Sequence, residues 1–420
     1  MPRFAYTLLL FALVPAALFH LWRRGRRQPD YRRHVGERFG RYAFDVTQPV
    51  IWIHAVSVGE TRAAEPLVKA LAERHPDHRI LLTHTTPTGR TTGEQLFGAE
   101  VARAYLPYDL PFAIDRFLER FRPSLGILME TELWFNLIHA CALRDVPVVL
   151  VNARLSERSA RGYRRLARLT REALRSLRAV GAQTNADAAR LEALGAMAVT
   201  VTGNIKFDVV PAPAMTILGA ELRELFGATR PVLLAASTRE GEESIVLDAF
   251  ARLGVRDALL VVVPRHPQRF EEVARLLDTL GLEWQRRSRD DPVDAATQVV
   301  LGDSMGEMFA YYGACDVAFI GGSLLPLGGQ NLIEACAVGT PVLVGPHTFN
   351  FAESADLAIA AGAAIRVSDA AQLAIEARRI LTDESLRASM HRAAMQFSAA
   401  HRGATAKTIE LIETQWSRSP

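Results

Sequence analysis

Short apolar runs recur along this chain at near-regular intervals, each followed by a segment of helical period, and few folds accept that pattern. The first series lies at 50–55, 79–83, 125–129, 146–151, 179–183 and 199–202. The second lies at 232–236, 258–263, 298–301, 317–321, 341–344 and 364–367. Runs this short and apolar suit strands buried on both faces, with the helical stretches as crossovers. The chain therefore reads as α/β, with two parallel-sheet domains of similar architecture facing one another across a cleft. Its 420 residues, 49% hydrophobic, suffice for a core in each. The expected divisions are an apolar segment at 1–22, a basic connector at 23–48, a first domain at 49–208 and a looser, proline-containing linker at 209–230. A second domain at 231–395 and a C-terminal helix at 396–420 complete the chain.

In an open parallel sheet, ligands sit outside the carboxyl ends of the strands, so the residues after each run are the candidates for chemistry. The run at 50–55 leads into Val56-Ser57-Val58-Gly59-Glu60, and a helical pattern follows through Ala64, Leu67, Val68 and Leu71. Glu60 is thereby presented at the mouth of a cleft. It is either an acid–base group there or a carboxylate that only favours the positive end of its own helix. Glu130-Thr131-Glu132-Leu133-Trp134 follows the run at 125–129 in the same way. It reads as an acid–base pair, a metal pair or a plain helix start. Lys206, in Gly203-Asn204-Ile205-Lys206-Phe207-Asp208, is a compact cation suited to phosphate or carboxylate, or else the partner of a neighbour such as Asp208.

The second domain carries polar or glycine-rich residues after four strands. Arg265 and His266 close one of them, and a guanidinium can grip phosphate oxygens with two parallel hydrogen bonds. Gly302-Asp303-Ser304-Met305-Gly306-Glu307 opens a helix whose first N–H groups are free for an anion. Gly321-Gly322-Ser323 and Gly328-Gly329-Gln330-Asn331, followed by Leu332, Ile333 and Glu334, form a glycine-rich loop at the start of another helix. Together these suit a nucleotide mono- or diphosphate, with a helix glutamate accepting from both ribose hydroxyls. Neither a P-loop nor an Asp-x-Asp pair occurs in the sequence.

Charge is unevenly spread. The formal net charge is +3, but residues 1–41 hold nine Arg against two acids and residues 154–178 hold another nine against two. The rest of the chain has 31 basic residues against 42 acidic ones, which argues against a nucleic-acid binder and for two local anionic contacts. Phe4 to Trp22 is uncharged and about long enough to cross a ~30 Å hydrocarbon layer at ~1.5 Å per residue. Arg23, Arg24, Arg26 and Arg27 follow at once, which places the body on the cytoplasmic side if the segment spans. The alternatives are a cleaved signal and, because Pro15 interrupts it, a segment lying only in the interface. A helix is expected over about 159–178, with an apolar stripe bordered by arginines that either face solvent or meet anionic lipid. Three scattered cysteines without C-x-x-C spacing suggest a reduced compartment and no structural zinc.

Five segments of this chain, read in order, resemble one family. They are His54-Ala55-Val56-Ser57-Val58-Gly59-Glu60, Thr85-Thr86-Pro87-Thr88-Gly89, Glu130-Thr131-Glu132-Leu133-Trp134, Gly203-Asn204-Ile205-Lys206-Phe207-Asp208 and Val344-Gly345-Pro346-His347-Thr348-Phe349-Asn350-Phe351. The family is the bacterial 3-deoxy-D-manno-octulosonic acid (Kdo) transferases of lipopolysaccharide synthesis. The resemblance implies a GT-B glycosyltransferase with two Rossmann-like domains, the first holding acceptor and the second CMP-Kdo. It implies inverting, metal-independent transfer onto the lipid A precursor, lipid IVA, at the inner face of the inner membrane, without a cofactor. Carried over, Glu60 is the general base, Glu130 and Lys206 support the transition state, and Arg265, His266, Met305, Gly306, Glu307 and Asn331 to Glu334 bind the CMP part. Gln330, Leu332, Phe135 and Arg239 depart from the family's usual His, Pro, Pro and His. The departures at Gln330 and Leu332 bear on donor affinity. The rivals are a GT-B enzyme using a UDP-sugar and a membrane-tethered nucleotide-binding module without turnover.

Overall fold

The computed structural model describes residues 1–416 and divides into two compact units, Met1–Asp208 with Arg402–Pro420, and Val209–His401. The first is built on β1 (Val50–His54), β2 (Arg79–His84), β3 (Ala102–Tyr105), β4 (Pro123–Met129), β5 (Val148–Ala153), β6 (Ala179–Ala182) and β7 (Val199–Val201). These pair in parallel in the order β3-β2-β1-β4-β5-β6-β7. Side chains alternate between two cores. Val50, Trp52, Leu81 and Leu150 lie on one face, and Ile51, Ile53, Leu82 and Ile127 on the other. Gly126 makes room for the Trp52 ring, since a Cβ there would meet it at 2.9 Å. The chain winds outward from β1 to β3 and then restarts beside β1 as β4. That reversal opens a crevice at the carboxyl ends of β1 and β4.

The second unit repeats the plan with β8 (Val232–Thr238), β9 (Leu259–Pro264), β10 (Trp284–Arg286), β11 (Val299–Leu301), β12 (Val317–Ile320), β13 (Val342–Val344) and β14 (Ala364–Arg366). Its order is β10-β11-β9-β8-β12-β13-β14, again parallel, with the reversal at β8 and β12.

Four differences from the sequence reading have physical causes. The strands it lacked, β3 and β10, are both sheet edges. Each has one open side, and neither Ala-Arg-Ala-Tyr nor Trp-Gln-Arg is an apolar run. The expected linker at 209–230 contains the helix Pro213–Phe226, which belongs to the second unit. Pro213 sits in its first turn, where a missing N–H costs nothing, and Gly219 packs against the helix Met308–Ala314 so closely that a Cβ would lie 3.2 Å from the Ala310 carbonyl oxygen. The basic segment is two helices, Glu157–Arg165 and Ala167–Ser176, parted at Leu166. There the Leu166 N–H and the Thr170 hydroxyl both donate to the Tyr163 carbonyl, at 3.0 and 3.1 Å, in place of the regular ladder. The chain end also divides differently: the helix Glu384–His401 stays with the second unit, and Ala404–Trp416 returns to the first. Trp416 packs edge-on against His75 and His78, with ring centroids 4.9 and 5.1 Å away. Residues 417–420 of the expected terminal helix lie outside the described residues.

Candidate active site

β1 delivers Ala55 and Val56 to the crevice, and Ser57 starts the helix Val58–Ala63. The Glu60 N–H donates to the Ser57 hydroxyl oxygen at 3.4 Å. In return the Glu60 carboxylate accepts from the Ser57 hydroxyl at 3.1 Å and from the Val56 N–H at 2.8 Å. This reciprocal arrangement is close to a capping box, and it locks the Glu60 rotamer. The helix-start reading of Glu60 is thus correct as far as it goes. Electrostatics add to it: burial pushes the carboxyl up to about 7, reinforced by the charges of Glu130 and Glu132 and opposed by the Val56 and Ser57 hydrogen bonds. A carboxyl that titrates near neutrality can both take and hold a proton.

Glu130 reaches the same crevice from β4 because the reversal in strand order makes β1 and β4 neighbours. It adopts φ +57, an unusual value for a residue with a side chain, and its N–H donates to the Val151 carbonyl at 2.9 Å. Its Oε1 lies 2.8 Å from Lys206 Nζ, with both side chains a little over one-quarter exposed. Lys206 therefore has a partner other than its neighbour Asp208. Asp208 instead accepts from the Gly403 N–H at 2.6 Å and from the Thr405 N–H, starting the terminal helix. The structure brings Glu60, Glu130, Glu132 and Lys206 into one charged group. Burial also raises the Glu132 carboxyl.

Two kinds of support escaped the sequence reading. His54 and His84 lie beneath this loop, buried and neutral, with desolvation depressing their pKa to about 3 and about 4. His54 Nδ1 meets Thr83 Oγ1 at 2.9 Å, and His84 Nδ1 donates to the Ala55 carbonyl at 2.9 Å. Asn152, inside β5, takes φ +52 and interrupts the register with β6. Its Oδ1 accepts from the Ile205 N–H at 3.1 Å, which sets the Ile205–Phe207 turn that carries Lys206. An asparagine within an otherwise apolar run was the available signal.

In the second unit, Arg239 follows β8 and Arg265 and His266 follow β9. Arg265 is half-buried and His266 exposed. Desolvation lowers the His266 pKa, and the charges of Arg239, Arg265 and Arg269 lower it further, which marks a concentration of positive charge at these strand ends. After β11, Met305 is 58% exposed and Gly306 takes φ +86 beside open space. The Ser304 hydroxyl donates to Glu307 at 2.6 Å. Asn331 Nδ2 donates to Glu334 at 3.0 Å, and its Oδ1 accepts from the Ile333 N–H at 3.0 Å, fixing the start of the short helix Ile333–Ala337. Leu332 and Ile333 have buried side chains, so they present only backbone to a ligand.

The glycine-rich turn after β12 differs from expectation. The sequence groups it with the glycine-rich loop suited to a nucleotide, and its N–H groups already hold an anion supplied by the protein. The fully buried Glu242 carboxylate accepts from the N–H groups of Gly322, Ser323 (3.0 Å), Leu324 (3.1 Å) and Arg239 (3.0 Å). Gly321 is required because a Cβ would lie 2.4 Å from the Ser237 carbonyl oxygen. Next to it Glu243 pairs with Arg269 at 2.9 Å. The pair Glu242-Glu243 opening a helix was visible in the sequence, but nothing local indicated what it would hold.

Comparison with known proteins accords with this geometry. Residues 33–209 match the family model described as 3-deoxy-D-manno-octulosonic-acid transferase, and residues 283–397 match that of glycosyl transferases group 1. The chain is 48% identical to the 3-deoxy-D-manno-octulosonic acid transferase of Bordetella pertussis, covering 98% of this chain and 99% of that one. This chain belongs to the Kdo transferase family. It is 39% identical to the Haemophilus influenzae member, over 99% of both chains. A glycosyltransferase structure from Rickettsia africae, 14% identical, covers 89% of this chain and all of its own (100%) with a TM-score of 0.58, which shows a shared fold. The fold is GT-B, and the activity is glycosyl transfer of Kdo.

Proposed function

We propose that this Kdo transferase uses CMP-Kdo as donor and the lipid A precursor lipid IVA as acceptor, with inversion and without a metal, on the cytoplasmic face of the inner membrane. The observation that carries the chemistry is Glu60: held in one rotamer, half-buried, with its carboxyl raised to about 7 in the β1–β4 crevice. An acceptor hydroxyl is a poor nucleophile until a base takes its proton. As the hydroxyl oxygen bonds to the anomeric carbon, Glu60 receives the proton and the bond from that carbon to the phosphate oxygen breaks. CMP departs with the electron pair. Lys206, aligned by Glu130, is a cation for the donor sugar's carboxylate. The arginines after β8 and β9, with His266, oppose the charge that develops on the leaving phosphate. Asn331 and Glu334, with the backbone of Leu332 and Ile333, and the Met305-Gly306-Glu307 turn are assigned to the rest of the cytidylate. The exposed arginines of Glu157–Arg165 and Ala167–Ser176 suit the lipid phosphates, and Arg3–Arg27 suits a membrane anchor.

Purified protein should be inhibited by CMP and not by UDP. The reverse result would remove the donor assignment. Glu60→Ala should lose ~10²-fold or more in turnover while still binding CMP; full turnover would remove Glu60 as base.

A further inference from the structure

The helix Arg3–Arg27 has the length and apolarity of a bilayer-spanning segment, yet it does not stand clear of the protein. Tyr6, Leu10, Val14, Ala17, Leu21 and Gly25 are partly or wholly covered, and they recur every three or four positions along the helix. That spacing is one continuous face. Near its N-terminal end the Tyr6 hydroxyl donates to Asp109 at 2.9 Å, and its ring meets Phe135 edge-on at 5.2 Å. Asn136 Nδ2 donates to Thr7 at 3.1 Å. Asp109 is itself buried in the domain, accepting from the N–H groups of Asn136 and Leu137 at 3.0 and 2.8 Å.

At the other end the chain doubles back. Arg32 donates to the Trp22 carbonyl at 3.5 Å and covers Gly25, and Arg24 donates to the Tyr31 hydroxyl at 3.0 Å. Five residues later Glu37 is buried in the same domain, accepting from the Tyr105 N–H at 2.8 Å and paired with Arg90. Five residues of chain reach at most ~18 Å, so both ends of the helix lie close to one folded body. A spanning helix would put Tyr6 and Trp22, about 24 Å apart along the axis, towards opposite sides of a ~30 Å hydrocarbon layer. The Asp109 carboxylate and the elements it holds would then be carried into lipid.

We infer that Arg3–Arg27 is an in-plane anchor that does not cross the membrane, with its N-terminus on the same side as the catalytic body. Its outward face, including Phe4, Leu8, Phe11, Leu18, Phe19 and Trp22, enters one leaflet of an anionic bilayer. Charge complementarity selects that partner. Arg23, Arg24 and Arg26 are exposed at the C-terminal end. The helix Phe135–Ala142 packs against both the anchor and Ala167–Ser176, so the exposed Arg168, Arg171 and Arg175 belong to the same side of the domain.

The inference rests on the membrane part of the proposed function and not on its donor, acceptor or base. Its test is a Pro2→Cys variant in a Cys315→Ser background, because Cys141 and Cys336 are buried. A membrane-impermeant maleimide is applied to spheroplasts and to inverted inner-membrane vesicles. Labelling should be roughly tenfold or more stronger in inverted vesicles, as expected for a helix lying on the cytoplasmic leaflet. Strong labelling of intact spheroplasts would overturn the in-plane arrangement. Kdo transfer measured in the same vesicles reports separately on the chemistry.

Discussion

Glu60 shows how one side chain can be structural and chemical at once. Its capping contacts favour the ionised form, but burial and the neighbouring carboxylates win, and the carboxyl titrates near 7 instead of about 4.5. The folded state therefore holds this proton more tightly than the unfolded chain does. Stability from that proton is present below pH 4.5 and is lost as the pH rises through about 7. Two outcomes follow for Glu60→Gln. The rise of kcat/KM with pH, centred near 7 in the wild type, should vanish along with ~10²-fold or more of the rate. The variant should also gain in melting temperature relative to wild type at pH 8 compared with pH 5. An unshifted pH profile in the variant would assign the ionisation to another group.

At the scale of elements, loops are held by buried polar side chains more than by the glycines within them. Glu242 satisfies four backbone N–H groups around the β12 turn. Glu242→Ala leaves these donors buried without a partner, at a cost of ~1 kcal/mol or more for each one. The second unit should lose at least ~4 kcal/mol of stability by urea unfolding. Glu242→Gln retains one carbonyl oxygen and should fold; with the proposed substrates, KM for CMP-Kdo should rise roughly tenfold and KM for the lipid stay unchanged, because the loosened turn belongs to the unit proposed to bind the donor. The arginine helices predict the opposite split. Arg161, Arg165 and Arg168 are exposed, and Arg168 pairs with Glu172. Changing all three to Gln should raise KM for the lipid, more so at low salt, and leave KM for CMP-Kdo alone. Equal lipid KM values would show a merely solvated surface.

At the scale of the molecule, acid sensitivity should concentrate in the first unit. His54 and His84 stay neutral in the fold because burial opposes their charge, but they protonate near 6.5 in the unfolded chain. The unfolded state thus binds more protons below pH 6.5, and stability falls as the pH drops towards 4. Each histidine contributes up to ~1.4 kcal/mol per pH unit across that window. Urea midpoints followed by fluorescence of Trp52, which is packed in the same core, should decline between pH 6.5 and 4.5. A flat midpoint would mean that the two imidazoles accept protons without unfolding.

The local pattern of this chain was enough for the α/β class, for all the interior strands and for Glu60, Glu130 and Lys206 as strand-end residues. Interior strands are buried on both faces and so are written as apolar runs, and a parallel sheet sends its strand ends to one side. Edge strands β3 and β10 carry no such constraint, and the helix Pro213–Phe226 was masked by prolines that only open it. Long-range pairing settled the rest. Strand order made β1 and β4 neighbours and so set Glu130 beside Glu60, while the Asn152 contact from β5 turned Lys206 onto Glu130, 76 positions away. It also filled the glycine-rich turn with Glu242, 80 positions earlier than Gly322, instead of leaving it for a ligand. Such contacts depend on which elements lie side by side, and no window of sequence encodes that; it arises when two cores close around their sheets.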